Sequence, residues 1–183
     1  MLTLAGYTAW RIYRAMFQNW RGRQAHLSKR DVVDFLNYAL ALELEQVEFY
    51  RTQERTAERL RRHHLAAGMR EARRVEARHV RNLKRQLRRL GAKVSPLTAV
   101  APPTGQVLGR TIRALGGEGS ILRAMVEIEQ KAIDHYLRVI HQLDDPQLKK
   151  LFMEHLVDEE FHAAWAQEMI EQARRPGERD TFR

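Results

Sequence analysis

Two short motifs in this 183-residue chain have the residue types and the spacing of a metal site. Both are Glu-x-x-His, with Glu76 three positions before His79 and Glu159 three positions before His162. Three residues turn an α-helix by about 300°, so the carboxylate and the imidazole of each motif project from one face and can bind a common ion. One such motif is usually a solvated surface pair, whereas two of them predict a shared site.

A second pair of acids precedes these motifs at similar spacing. Glu43 and Glu129 lie 33 and 30 residues before the glutamates of the two motifs. Each acid is followed seven positions later by a tyrosine, Tyr50 or Tyr136, which two helical turns return to the same face. The pattern predicts an internal duplication of a helix pair.

The hydrophobic pattern indicates that these acids point into a core. Apolar residues recur at helical spacing around both upstream acids: Leu36, Leu40 and Val47 near Glu43, and Met125, Ile133 and Ile140 near Glu129. A buried ionised carboxylate costs several kcal/mol unless another charge compensates it. Four such acids with two imidazoles therefore predict bound cations.

The predicted donor set favours two divalent ions. Its members are Glu43, Glu76, His79, Glu129, Glu159 and His162. Four carboxylates carry a charge of about −4, which two divalent cations balance, and nitrogen and oxygen ligands without thiolate suit iron, with manganese as the alternative.

The order Glu, Glu-x-x-His, Glu, Glu-x-x-His is that of four-helix di-iron proteins. Over roughly residues 31–174 the chain resembles the ferritin-like di-iron carboxylate superfamily. The resemblance implies an all-α fold, a ferritin-like four-helix bundle with a long crossover between its second and third helices. The first half, residues 39–50 and 76–83, looks rubrerythrin-like. Four stretches of the second half are similar to the demethoxyubiquinone hydroxylase family: residues 105–109, 115–119, 126–136 and 158–162.

This resemblance implies a di-iron monooxygenase that uses dioxygen to hydroxylate a small apolar, quinone-like substrate. Glu76 and Glu159 are then the candidates to bridge the two metals, with the other two glutamates as terminal ligands. Tyr50 and Tyr136 are expected beside the metals, and His155, one turn before Glu159, is a candidate to join them. The alternative for these three residues is a role in core packing alone.

Two other functions stay open at this stage. One is a rubrerythrin-like peroxide or dioxygen reductase, and the other is a ferritin-like protein that oxidises or stores iron. The chain has no Cys, which excludes an iron–thiolate module, disulfides and thiol catalysis. Storage requires a shell of many subunits, and a homo-oligomer is compatible with the sequence.

Turn and capping residues divide the chain. We expect an N-terminal amphipathic helix over residues 1–27, a di-iron bundle over 28–175 and a frayed tail over 176–183. Ser28 and Asp31 form a predicted capping box that opens the first bundle helix. Glycines are expected to mark the second helix, with Gly68 breaking the chain before it and Gly91 ending it. The third helix is predicted from about residue 119 to 144, and Pro146 suits the first turn of the fourth.

Residues 1–25 combine aromatic and cationic side chains. Trp10, Tyr13, Phe17 and Trp20 recur at helical spacing with arginines among them, and the apolar run is too short to span a bilayer. A peripheral helix on a membrane surface and a fifth helix on the bundle are both consistent with this pattern. We expect a cytoplasmic protein, with peripheral membrane attachment under the first interpretation.

The second predicted bundle helix carries much of the formal net charge of +9. A solvated cationic face is the simpler interpretation, and attraction to anionic lipid headgroups is the functional one. No recognised nucleic-acid-binding motif accompanies the charge, so specific nucleic-acid binding is not expected.

Overall fold

The computed structural model describes residues 27–96, 98 and 117–174, which form four α-helices. These are α1 (Lys29–Arg59), α2 (His63–Arg89), α3 (Glu118–Ile140) and α4 (Pro146–Arg174). The described residues contain no strand. The predicted all-α four-helix fold is therefore confirmed. The N-terminal helix predicted over residues 1–27 and the tail predicted over 176–183 fall almost entirely outside the described ranges.

Local sequence signals account for most helix ends. Ser28 Oγ accepts from the backbone N–H of Asp31 at 3.2 Å, and Asp31 Oδ2 accepts from the backbone N–H of Ser28 at 3.0 Å. The predicted capping box is thus present, and such a cap contributes about 1 kcal/mol. Gly91 follows α2 with φ of 66°, as predicted for a helix stop. Pro146 opens α4, where its missing N–H costs no helical hydrogen bond.

The predicted break at Gly68 is wrong. The chain turns earlier, between α1 and α2, where Arg61 has φ of 55°, and Gly68 lies inside α2. A Cβ at Gly68 would come within 2.3 Å of the Trp165 ring on α4. The glycine therefore permits close approach of two helices, and its conformational freedom is not what this position requires.

Two apolar clusters fix the direction of each helix. One cluster joins the start of α1, the ends of α2 and α3 and the start of α4, and includes Leu36, Leu87, Val139 and Leu148. The other joins the opposite ends of the same helices and includes Phe49, Met69, Ile121 and Ala166. α2 and α3 therefore run parallel, which is the orientation predicted for two helices joined by a long crossover.

The exterior carries paired charge. Glu54 accepts from Arg70 at 2.7 Å and from Arg73 at 2.8 Å, and Arg70 also contacts Glu58 at 2.7 Å. Part of the positive charge of α2 is thus neutralised by α1. None of the described helices has the length and apolar character needed to cross a membrane.

Candidate metal centre

The structure gathers all six candidate ligands in a polar layer between the two apolar clusters. α1 contributes Glu43, α2 contributes Glu76 and His79, α3 contributes Glu129, and α4 contributes Glu159 and His162. Each of these side chains is at most 5% exposed. The helical spacing inferred from the sequence thus places every one of them inward.

The six residues form two overlapping groups. Glu43, Glu76, His79 and Glu159 offer donor atoms within 4.8 Å of one another, and so do Glu76, Glu129, Glu159 and His162. Glu76 and Glu159 belong to both groups. The described part of the chain therefore provides two adjacent four-residue clusters that could each hold a metal ion, and a third group, Glu43, His79 and His155, overlaps the first of them.

The two shared glutamates each face both histidines. Glu76 places Oε2 at 3.1 Å from His79 Nδ1 and Oε1 at 3.0 Å from His162 Nδ1. Glu159 places Oε1 at 3.3 Å from His79 Nδ1 and Oε2 at 3.8 Å from His162 Nδ1. Each carboxylate thus directs one oxygen toward each group, which is the disposition a bridging ligand needs.

The tyrosines link the helices that carry the other two glutamates. Tyr50 on α1 donates its hydroxyl hydrogen bond to Glu129 on α3, and Tyr136 on α3 donates to Glu43 on α1. Burial and the neighbouring carboxylates hold the pKa of both tyrosines well above the usual value, so both remain donors. Gln46 Nε2 also donates to Glu129 Oε2 at 2.9 Å. These hydrogen bonds therefore orient the carboxylates of Glu43 and Glu129, the two glutamates that the four-residue groups do not share.

Asp158 orients His79. Its Oδ2 lies 2.9 Å from His79 Nε2 and accepts from Arg78 at 2.7 Å. This contact leaves His79 Nδ1 directed at the carboxylates. Burial alone would raise the pKa of Asp158, but His79 and Arg78 lower it, so this acid remains charged.

We expect Asp158→Asn to weaken metal binding about 10- to 100-fold, the range typical of partners that orient a ligating histidine. The amide keeps the shape of the side chain but loses the charge that holds His79 and Arg78. Competition against a chelator measures the affinity. The matched control is Asp134→Asn, because Asp134 lies on the surface of α3 and is 3.9 Å from Arg138. Equal affinity in both variants would contradict the role of Asp158.

His155 belongs to a chain of hydrogen bonds that ends at Glu43. Asn82 Nδ2 lies 3.4 Å from His155 Nε2, His155 Nδ1 lies 3.0 Å from the Tyr136 hydroxyl, and Tyr136 donates to Glu43. Burial and the nearby His79 lower the pKa of His155 to about 3, so the ring is neutral and can donate from Nδ1 while accepting at Nε2. The ring also stacks on His79 with centroids 3.8 Å apart.

Three other histidines of the described helices lie outside the cluster. His63 and His64 are exposed in the first turn of α2. His135 is buried but stacks on Phe35 with centroids 4.2 Å apart, and burial lowers its pKa to about 3. Its neighbour Tyr136 contacts the cluster, whereas His135 packs among aromatic rings.

The cluster cannot keep every acid ionised without added positive charge. Burial and the charge of Glu43 raise the pKa of Glu76 to about 8, and burial and Glu159 raise that of Glu129 well above its usual range. Burial alone would lower the pKa of His162, but the surrounding carboxylates raise it to about 12. Without metal ions, protons on these groups compensate the buried carboxylates.

The donor atoms suit metal ions better than they suit one another. Among the described residues, both oxygens of Glu76 and of Glu159 lack a hydrogen-bond donor of acceptable geometry, and His162 Nδ1 lacks a hydrogen-bond partner of acceptable geometry. Buried polar atoms rarely stay unpaired, and these five converge on one layer. Carboxylate oxygens and imidazole nitrogens are ligands of iron and manganese. The residues present therefore fit the predicted pair of ions.

Comparison with known protein families gives a match over most of the chain. The family model described as "Ferritin-like domain" matches residues 31–172, which include all six clustered residues. No curated protein matches the chain significantly.

Proposed function

The chain belongs to the ferritin-like domain family, and from this membership and the buried clusters we propose that it is a di-iron carboxylate oxidoreductase that activates dioxygen. The observation that carries the proposal is the pair of overlapping groups joined by Glu76 and Glu159. A bundle that needed these acids only for stability would gain nothing by burying four of them together.

The proposed ligands divide by position. Glu76 and Glu159 would be shared by the two ions, Glu43 and His79 would help hold one ion, and Glu129 and His162 would help hold the other. Reduced iron held there would supply electrons for dioxygen activation, and manganese is the alternative metal. The protein positions the outer carboxylates through Tyr50, Tyr136 and Gln46, and the apolar clusters on both sides exclude water from the layer.

We further propose that the reaction is hydroxylation of a small apolar, quinone-like substrate. The support is the similarity of the second half to the demethoxyubiquinone hydroxylase family. A rubrerythrin-like reductase, the second candidate, would use an extra carboxylate ligand. The two four-residue groups of the described residues contain four carboxylates in all. This count favours the hydroxylase.

Hydroxylation can be tested in cells that lack their own quinone-precursor hydroxylase. We expect the chain to restore ring hydroxylation and Glu159→Ala to abolish it, because that variant loses a carboxylate common to both groups. Glu160→Ala is the matched control, since Glu160 is the adjacent residue and is exposed. Chromatography of extracted quinones measures the product. Accumulated precursor with soluble, iron-loaded protein that consumes peroxide rapidly would instead support the peroxide reductase.

A membrane surface is the proposed partner of residues 1–25. Deletion of this segment is expected to abolish binding to anionic liposomes, because aromatic and cationic side chains favour the lipid interface. Sedimentation with liposomes measures binding, and circular dichroism checks the bundle. Retention of binding would exclude the segment as the anchor, and unfolding on deletion would identify it as a fifth packed helix.

A further inference from the structure

An open groove of about 850 Å³ lies between α2 and α4. Arg78 and Asn82 line it from α2, and Met153, His155 and Val157 line it from α4. Its volume falls within the range of roughly 300 to 1,000 Å³ that is typical of sites for small ligands. The groove is therefore large enough for an aromatic molecule with substituents.

The inner end of this groove adjoins the carboxylate cluster. His155 lines the groove although its side chain is only 1% exposed. Its Nδ1 is 3.0 Å from the Tyr136 hydroxyl, and its ring stacks on His79 at 3.8 Å. One side chain thus separates a molecule in the groove from both His79 and the hydrogen-bond partner of Glu43.

Two of the α4 residues that line the groove are exposed apolar side chains. Met153 and Val157 are 52% and 63% exposed, although α4 also buries a core face. They lie four residues apart and so share one stripe of α4. An apolar ligand body would cover both side chains and remove their surface from water.

Two ion pairs use the acidic side chains of the groove, and the polar groups that remain are hydrogen-bond donors. Arg78 pairs with Asp158 at 2.7 Å, and Lys150 lies 3.9 Å from Glu154. Lys149 adds a positive charge at the rim that these two pairs do not use, and the Asn82 amide lies near the inner end. Met153 and Val157, together with these donors, suit an apolar ring that carries oxygen acceptors.

We propose that this groove binds the substrate, an apolar phenol or quinone, and gives it access to the cluster past His155. The proposal rests on the proposed function. The proposed substrate route thus runs between α2 and α4. The inward apolar residues Leu36, Leu40 and Met125 of α1 and α3 do not line this route, because they are buried in the core.

Binding of the soluble probe 2,3-dimethoxy-5-methyl-1,4-benzoquinone to the metal-loaded full chain tests the groove. We expect Met153→Arg and Val157→Arg each to weaken binding at least tenfold by calorimetry, because a charged side chain would fill the apolar wall. Leu137→Arg is the matched control: Leu137 is 42% exposed, lies on α3 and does not line the groove. It should bind within twofold of the unchanged protein. Metal content is measured in all samples. If Val157→Arg changes the metal content, the test relies on Met153→Arg, because Met153 lies six residues before Glu159.

Three results would overturn the groove assignment. The first is that the unchanged protein does not bind the probe. The second is that the groove variants and the control variant bind it equally well. The third is that the groove variants lose only liposome binding, which would identify the stripe formed by Met153 and Val157 as a lipid contact. The proposed function is tested separately. Loss of probe binding in the groove variants with no hydroxylation by the unchanged protein would support the groove and refute the reaction. Normal hydroxylation with normal probe binding in the groove variants would support the reaction and refute the groove.

Discussion

Glu159→Ala is expected to remove both metal ions, whereas Glu43→Ala is expected to remove one. Glu159 belongs to both four-residue groups of donor atoms and Glu43 to one of them. Loss of the shared carboxylate leaves each site with fewer donors and removes the link between the sites. Elemental analysis of purified protein should give about two ions per chain for the unchanged protein, about one for Glu43→Ala and close to none for Glu159→Ala.

Controls for this experiment come from the same helices. Glu160→Ala changes the adjacent, exposed carboxylate and should retain both ions. His79→Ala and His162→Ala should each lose at least one ion, because each histidine belongs to one of the two four-residue groups. Two ions in Glu159→Ala would refute the shared position, and two ions in both histidine variants would refute the assignment of the site.

The sequence predicts this cluster well because helical periodicity is local. Glu43, Glu76, Glu129 and Glu159 lie on apolar stripes, and a stripe on a long helix must face a core. The same arithmetic could have identified Gln46, which follows Glu43 by three positions as His79 follows Glu76. It was missed because an amide beside an acid has no distinctive pattern.

Features that depend on two helices were harder to predict. Asp158 is beside Glu159 in sequence, but its role depends on His79 and Arg78 of another helix. Gly68 was assigned to a chain break because the sequence does not show that Trp165 lies against it. The groove likewise requires the relative placement of α2 and α4, and no single-helix pattern specifies that placement.

The metal-free protein is expected to become less stable as pH rises from about 6 to about 8. The folded-state pKa of Glu76 is raised from 4.5 to about 8, so the folded state retains a proton that the unfolded chain has released. The free energy of unfolding therefore falls with rising pH across this window. His162 acts in the same direction: its folded pKa is raised from 6.5 to about 12, so its stabilisation is complete below 6.5 and is lost as pH rises. Glu43, His135 and His155 have the opposite sign. The window of Glu43, between 2 and 4.5, lies below this range, and the windows of the two histidines, between about 3 and 6.5, reach only its lower edge.

The metal-loaded protein is expected to show the opposite slope. Metal ions displace protons from their ligands, so metal affinity rises with pH, and binding to the folded state alone raises the free energy of unfolding. Urea unfolding at about pH 6 and about pH 8, with and without chelator, measures both slopes, and we expect a difference of several kcal/mol from groups shifted this far. Glu76→Gln is the control, because a neutral amide removes the Glu76 contribution and should make the metal-free slope shallower, leaving the contribution of His162. Metal-free protein that gains stability between about pH 6 and about pH 8 would show that these carboxylates are solvated, contrary to the buried cluster described above.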